Sequence, residues 1–263
     1  MMEPTPSYLR LRQIGLATDD LPQAARDLQS IFGLACAHED PQVEIYGIRN
    51  ALFPVGLSFI ELIAPLRPDT AAARFLQRGP QRGAYMAIFN CSDPHRRRAH
   101  VAALGLRIAA EITLDGFYGI QIHPRDSRAA MVELDHTPGE ADLHGPYFAA
   151  GGSGWASAIR TENVRGLPAV VLESPTPQTL AEHWATLLER PLSSADGEPA
   201  ITVDLCRIHV RPGPVEALRT VVLAVRDAAT LLDRAARRGY SVRGHAIQDF
   251  CGVNLLLTES PDT

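Results

Sequence analysis

The sequence contains no lysine: Lys and Arg together number 25, and every one of them is arginine. Mechanisms that need a lysine amine, such as Schiff-base catalysis or the phosphate loop of nucleotide-binding proteins, are therefore excluded. Cysteine is also scarce, with four residues and no pair in CxxC spacing. Neither a zinc knuckle nor a dithiol redox site is indicated, and we expect buried free thiols.

Long apolar runs and a strong net charge are missing as well. No stretch approaches the roughly 18 apolar residues of a membrane-spanning helix, and the first residues do not resemble a signal peptide. A net charge of −5 over 263 residues does not suit electrostatic binding to nucleic acid. We expect a soluble, cytoplasmic protein whose partner is a small-molecule substrate or ligand, with no nucleic acid and no membrane.

What the chain does contain is a fourfold repeat of local pattern. Four segments begin with a short apolar run, pass through a turn and continue into an amphipathic helix, starting near residues 14, 86, 170 and 221. In the first, Asp20 is placed to cap the helix and Pro22 lies in its first turn. Short strand-like pieces follow each helix, so the predicted unit is β-α-β-β-β, present four times.

The segment between the second and third units is rich in Gly, Pro and Ala, which is typical of a linker with little regular structure. We therefore predict domains over 1–137 and 158–263, joined by a linker over 138–157. A unit with one helix cannot bury its sheet alone. The units are expected to pair and to curl their sheets around shared cavities.

With these features, the sequence resembles the vicinal oxygen chelate superfamily, which includes glyoxalase I, methylmalonyl-CoA epimerase, extradiol dioxygenases and bleomycin-resistance proteins. The resemblance covers nearly the whole chain and is clearest before the linker. It is carried by the segments 13–21, 32–34, 59–65, 83–94 and 122–134. It implies an α+β fold in which four β-α-β-β-β units form two glyoxalase-like domains, with curved mixed sheets around cup-shaped cavities.

In metal-dependent members, the resemblance implies four ligands that point into the cup from the first and last strands of two paired units. By position these are Gln13, Glu61, Met86 and Glu133. Oxygen ligands from Gln13, Glu61 and Glu133 suit a divalent ion such as Mg, Mn, Ni or Zn. Met86 departs from the family, which normally has His there, and a thioether binds such ions poorly.

With a metal present, the resemblance implies a lyase or isomerase that acts on a small molecule with neighbouring oxygens. Glu133 or Glu61 is then the base that removes a proton beside the carbonyl. Taken singly, a strand Gln or Glu is more often a solvated polar residue. Two carboxylates facing one cavity, however, repel each other unless a metal, a proton or an arginine lies between them.

The alternative function is a metal-free protein that binds and sequesters a small molecule, as bleomycin-resistance relatives do. His123, beside two arginines, suits a carboxylate or phosphate ligand, although a hairpin with solvated charges is the simpler explanation. Phe117 and Tyr118, which come before a predicted strand, either line the cavity or pack the sheet. The predicted substrate-binding residues are Met86, Phe89, Phe117, Tyr118 and His123.

The second domain carries no comparable set of ligands. Its equivalent positions are predicted at Ala169, Thr220, Ile208 and Leu255, so no metal site is expected there. Its predicted roles are to complete the wall of the first cavity, to replace a second subunit or to hold a ligand of its own. The oligomeric state is left as monomer or homodimer.

Overall fold

A computed structural model describes residues 7–195 and 197–260, which form two mixed β-sheets with helices packed against them. The first sheet has the strand order β2-β3-β1-β4-β7-β6-β5. Its strands are β1 Leu9–Ala17, β2 Ile48–Val55, β3 Ser58–Pro65, β4 Met86–Cys91, β5 Ile108–Leu114, β6 Phe117–Ile122 and β7 Met131–His136.

The second sheet repeats this arrangement with the order β13-β14-β15-β12-β8-β11-β10-β9. Its strands are β8 Val164–Ser174, β9 Leu192–Ala195, β10 Glu198–Val203, β11 Cys206–Pro212, β12 Ala217–Val225, β13 Val242–Arg243, β14 Ala246–Phe250 and β15 Val253–Glu259. In both sheets the central antiparallel pair is made by the first strands of two units, β1 with β4 and β8 with β12.

The described helices are α1 Leu21–Asp27, α2 Ala71–Leu76, α3 Pro94–Ala103, α4 Pro124–Ser127, α5 Pro177–Leu188 and α6 Ala228–Arg237. A π-helical turn over Leu28–Phe32 extends α1. The Asp20 side chain accepts a hydrogen bond from the Gln23 backbone N–H, and Pro22 lies in the first turn, as the sequence predicts. The four-unit prediction is confirmed, and in the first unit the strand after the helix is reduced to one bridge, His38 to Leu52.

The apolar core lies between the helix-covered faces of the two sheets and is shared by both. Phe89 on β4 packs edge-on against Trp184 on α5, with ring centroids 6.4 Å apart. The buried Arg97 of α3 donates to the Leu188 carbonyl at 3.0 Å and forms an ion pair with Glu189. The domain limits of 1–137 and 158–263 stay a prediction, because this core crosses from one sheet to the other.

The segment between β7 and β8 is packed rather than extended. It forms two short 3-10 turns, Phe148–Ala150 and Gly154–Ala158, and buries Tyr147 and Trp155 against the concave face of the first sheet. Trp155 packs edge-on against Phe59 of β3 with ring centroids 5.0 Å apart. The predicted linker is therefore part of the wall of the first cup, since its aromatic side chains have apolar area to bury.

None of the helices in the described part of the chain is long and apolar enough to cross a membrane.

Candidate active site

Strand register places the four predicted ligand positions on the concave face of the first sheet. Gly15 on β1 is flanked by Glu61 on β3 and Met86 on β4. One row further along, Gln13 is opposite Ile88, which in turn is opposite Glu133 on β7. Side chains two residues apart on a strand point to the same face. Gln13, Glu61, Met86 and Glu133 therefore face one cup, as the resemblance implies.

A β-bulge on β1 sets the orientation of the first of these side chains. The pairing of β1 with β4 shifts between Leu11 and Gln13, so that one extra residue is accommodated. The bulge aims Arg12 as well as Gln13 at the concave side, where the Arg12 guanidinium lies 5.6 Å from the centre of the Phe59 ring. Without it, simple alternation would put Arg12 on the face opposite to Gln13.

Glu61 is a buried carboxyl group held by an amide. The Asn50 side-chain N–H donates to Glu61 Oε1 at 2.7 Å from the neighbouring strand β2. Burial is the main cause that raises the pKa of Glu61 to about 7; the hydrogen bond from Asn50 opposes this rise, and the nearby charge of Glu133 adds to it. The side chain therefore exchanges a proton near neutral pH rather than remaining a permanent anion.

Glu133 has the same kind of environment on the other side of the cup. The Gln121 side-chain N–H donates to Glu133 Oε2 at 2.8 Å. Burial, followed by the charge of Asp135, raises the pKa of Glu133 to about 8. Both carboxyl groups are thus positioned by side-chain amides, which the sequence reading missed because Asn50 and Gln121 come from other strands.

A cavity of about 730 Å³ lies beside this cup on the side of α2; Met86 lines it, whereas Gln13, Glu61 and Glu133 do not. Met86 and Met131 form part of its wall, and Gln121 connects it to Glu133. The predicted binding residue His123 also lines it, as does Tyr85. Strand alternation predicts that Tyr85 points away from Met86, but Tyr85 lies just before β4 begins, so alternation does not apply to it.

Three predicted binding residues lie away from this cavity. Phe89 is fully buried in the core against Trp184, on the opposite face of β4 from Met86. Tyr118 packs against His95 of α3 and donates to Glu111, so it lies on the helix side. Phe117 stacks on Phe148 of the connecting segment, with centroids 4.9 Å apart, at the closed end of the cup. These three residues therefore lie outside the candidate site.

The closed end of the cup contains a buried cation. The Arg12 guanidinium lies 5.1 Å from the centre of the Tyr147 ring and 5.4 Å from that of Trp155. Its Nε and one terminal nitrogen donate to no residue that the structure describes. Burial lowers the pKa of Arg12, and the nearby charges of Glu140 and Asp135 act in the opposite direction. Aromatic faces stabilise such a cation, so this end of the cup is a packed aromatic cage.

The second sheet contributes directly to the cavity. Glu216, just before β12, lines it and forms a two-pronged ion pair with Arg128. Ala84 N–H donates to the Leu218 carbonyl at 2.8 Å, and Leu218 N–H donates to the Ala129 carbonyl at 3.2 Å. Leu218 therefore links the two segments that carry Met86 and Met131. Of the positions matched to ligands in the second domain, Ile208 and Leu255 are fully buried in the shared core.

A sequence profile described as a glyoxalase-like domain matches residues 14–188, which is more than half of the chain. The chain belongs to the glyoxalase-like domain family. The resemblance to the vicinal oxygen chelate superfamily that the sequence indicated is thereby confirmed.

Curated relatives of this glyoxalase-like protein match about half of it. It is 26% identical to human mitochondrial methylmalonyl-CoA epimerase over 129 residues, which are 48% of this chain and 73% of that protein. It is 24% identical over 132 residues to the ethylmalonyl-CoA/methylmalonyl-CoA epimerase of Cereibacter sphaeroides, covering 48% of this chain and 96% of that protein.

Two solved structures resemble the glyoxalase-like protein along nearly its whole length. A hypothetical protein from Staphylococcus aureus aligns with a TM-score of 0.67 at 11% identity, over 96% of this chain and 99% of that one. The Mn(II)-bound glyoxalase from Novosphingobium aromaticivorans aligns with a TM-score of 0.65 at 17% identity, over 97% and 83%. At these identities the likeness shows the fold, and it confirms the predicted pair of glyoxalase-like domains.

The donor atoms in the cup of the glyoxalase-like protein fit a hard divalent cation. Gln13 Oε1 is buried and accepts no hydrogen bond from any described residue, and Glu61 and Glu133 each have one oxygen held by an amide. Among residues 7–195 and 197–260, no three His, Cys, Asp or Glu side chains form a metal-binding group. The available set is therefore two carboxylates and one amide oxygen, with Met86 where the family has His.

Proposed function

We propose that the chain is a lyase or isomerase that acts on a small molecule with neighbouring oxygens. Glu133 is the base that removes a proton from the carbon beside a carbonyl group, and Glu61 is its partner across the cup. In an isomerase, a proton returns from protonated Glu61 to the other face of the same carbon or to the neighbouring carbon. In a lyase, the electron pair left by the proton expels a leaving group from the neighbouring carbon. Substrate enters through the cavity lined by Met86 and reaches Glu133 past Gln121.

The pair of buried carboxyl groups is the observation that carries this proposal. A base works best when its pKa lies near the working pH, because it is then both available and strong enough to take a proton. The burial of Glu133 supplies that pKa, and Gln121 fixes the orientation of the carboxyl group. Burying carboxyl groups costs stability, and this face buries Asp135 as well as Glu61 and Glu133, which supports a functional reason for keeping them there.

Gln13, Glu61 and Glu133 would hold a divalent metal ion in this cup. When bound, such an ion stabilises negative charge on the substrate oxygens as a Lewis acid. The protein's own contribution is to exclude water, to orient the two carboxyl groups and to keep Gln13 Oε1 available as a donor. Mg, Mn, Ni and Zn are the candidates, since each accepts oxygen ligands.

One observation favours a second function, that of a metal-free binding protein. Met86 and Met131 are paired in register on β4 and β7, and both line the cavity. Paired methionines adapt their shape to apolar ligands and bind hard cations poorly. In this alternative the protein sequesters its ligand and the carboxyl groups stay protonated.

Proton exchange in D₂O tests the proposed chemistry without a known product. The protein is incubated with 2-oxoaldehydes as thiol adducts and with acyl-CoA esters, methylmalonyl-CoA among them, and NMR follows deuterium entering beside the carbonyl group. We expect exchange with at least one substrate class and a loss of about 100-fold or more in Glu133→Gln. Glu111→Gln, at an exposed carboxylate on the helix side, is the matched control and keeps the wild-type rate.

Elemental analysis after exposure to Mg, Mn, Ni or Zn separates the two functions. The enzyme is expected to retain about one ion per chain, with loss of that ion in Glu133→Ala. A protein that retains no metal and exchanges no proton, but still binds apolar ligands, is the sequestering protein instead. Exchange that persists in Glu133→Gln would overturn the assignment of the base.

A further inference from the structure

The cavity combines an apolar wall with an excess of positive charge. Ile48, Phe75, Met86 and Met131 give it an apolar surface on which a hydrocarbon group can pack. Its volume of about 730 Å³ suits one small organic molecule. The half-exposed Tyr46 extends the apolar surface to the mouth.

Four arginines and one glutamate are the charged side chains that line this cavity. Arg128 is neutralised by the two-pronged ion pair with Glu216. The other three are Arg74, Arg78 and Arg125, and none has an acidic side chain at ion-pair distance among the residues that the structure describes. The Arg74 side chain donates to the Asp69 carbonyl, and Arg78 lies over the Phe75 ring at 5.0 Å. The mouth therefore carries uncompensated positive charge.

His123 adds a ring N–H donor to these charges. Its Nδ1 accepts a hydrogen bond from the Arg125 backbone N–H at 3.2 Å, which leaves Nε2–H as the donor. His123 and Arg125 lie at the start of α4 and Arg74 lies on α2, and all three line the cavity. An oxyanion in the cavity that these side chains reach would receive charge-assisted hydrogen bonds from the arginines.

We propose that this cavity binds an organic oxyanion with an apolar body, a carboxylate or a phosphate monoester, whose charged group contacts Arg74 and Arg125 and whose body packs on Met86 and Met131. The inference rests on the proposed function, because it names the substrate class of the same site. A neutral ligand would leave three arginines without a counterion. A small anion without an apolar body would leave the methionine wall in contact with water.

Titration calorimetry with octanoate, octyl phosphate, 1-octanol and acetate tests this inference. At least one of the two amphipathic anions is expected to bind ten times more tightly than octanol and acetate, and which one binds identifies the charged group. The Arg74→Gln, Arg125→Gln double variant is expected to lose most of that preference while binding octanol unchanged. Both side chains are exposed, and near-UV circular dichroism checks that the variant keeps its fold.

Arg237→Gln is the matched control, since it removes an exposed arginine of α6 that pairs with Asp233. This variant is expected to bind octanoate as tightly as the wild type. Equal binding of octanol and the anions, or an unchanged preference in the double variant, overturns the inference. Binding is also measured in Glu133→Gln, where it is expected to persist. Anion binding without proton exchange in any substrate would refute the proposed reaction and leave the ligand class standing.

Discussion

A carboxyl side chain that is buried on an apolar sheet takes a proton unless a cation or enough hydrogen bonds hold its charge. Glu61 and Glu133 each receive one amide hydrogen bond, and burial raises the pKa of both. The same two residues, which are the reactive groups of the proposed function, thus cost the protein stability once they ionise.

The stability of the metal-free protein is expected to fall as the pH rises. The pKa of Glu61 goes from 4.5 in the unfolded chain to about 7 in the fold, so its contribution is complete below the unfolded pKa and is lost through about pH 7. A shift of that size corresponds to roughly 3 kcal/mol. Urea unfolding in the presence of EDTA at pH 5 and pH 8 measures the loss.

Glu61→Gln is the control for this pH dependence, because the amide keeps the shape and cannot ionise. The difference between pH 5 and pH 8 shrinks in that variant if Glu61 is its source. An equal difference in the variant and the wild type would show that other groups cause it.

In the proposed metal site, the side chain at position 86 is expected to set how tightly a cation is held. Replacing it with histidine supplies the ligand type that the family normally has at this position, so Met86→His is expected to tighten Zn or Mn binding on the order of tenfold or more. Met131→His is the matched control, because Met131 pairs with Met86 in register and lines the same cavity. Calorimetry that finds equal tightening in both variants would contradict a specific ligand position at 86.

At the scale of the elements, the connecting segment closes one end of the cup through Trp155. Its ring is fully buried against Phe59, and its Nε1 donates to the Gly145 carbonyl at 2.9 Å. Trp155→Ala is expected to cost about 3–5 kcal/mol of unfolding free energy, since it leaves a large cavity. Urea unfolding measures it, with Trp155→Phe as the control that keeps the ring contact and loses less. A wild-type midpoint in Trp155→Ala would show that the segment is only loosely attached.

Periodicity in the sequence was enough to predict the four units, because alternation and helical spacing follow from burial on one face. Alternation also predicts the direction of Phe89. It lies three residues from Met86 on the same strand, so the two side chains point to opposite faces of the sheet. The short helix α2 was not predicted, although Thr70 caps it and three alanines begin it. It forms one wall of the cavity.

The pairing of amides with carboxyl groups could not be predicted from one sequence. The strand register puts Gln121 directly opposite Glu133, whereas Asn50 is opposite Ile63 and reaches Glu61 diagonally. That register depends on turn geometry and on the packing of the whole sheet. The packing of the Gly-rich connecting segment likewise depends on contacts with distant strands. Its two buried aromatic residues, Tyr147 and Trp155, were the only feature of its own sequence that indicated this packing.

At the scale of the whole molecule, the two sheets share one apolar core, and neither half can cover it alone. Removal of residues 138–263 would expose the side of Phe89 that packs on Trp184 and leave Arg97 without Glu189 and the Leu188 carbonyl. It would also remove Leu218, which joins the two segments that carry the cavity wall.

A fragment of residues 1–137 is therefore expected to fail to fold cooperatively on its own. Its uncovered helix face would bind the dye ANS, and thermal unfolding followed by circular dichroism would show no sharp transition. Co-expression with residues 138–263 is the control, because the two fragments together can rebuild the shared core and restore a cooperative transition. If the 1–137 fragment unfolds cooperatively with the midpoint of the full chain, the domains are independent and the second sheet does not support the cup.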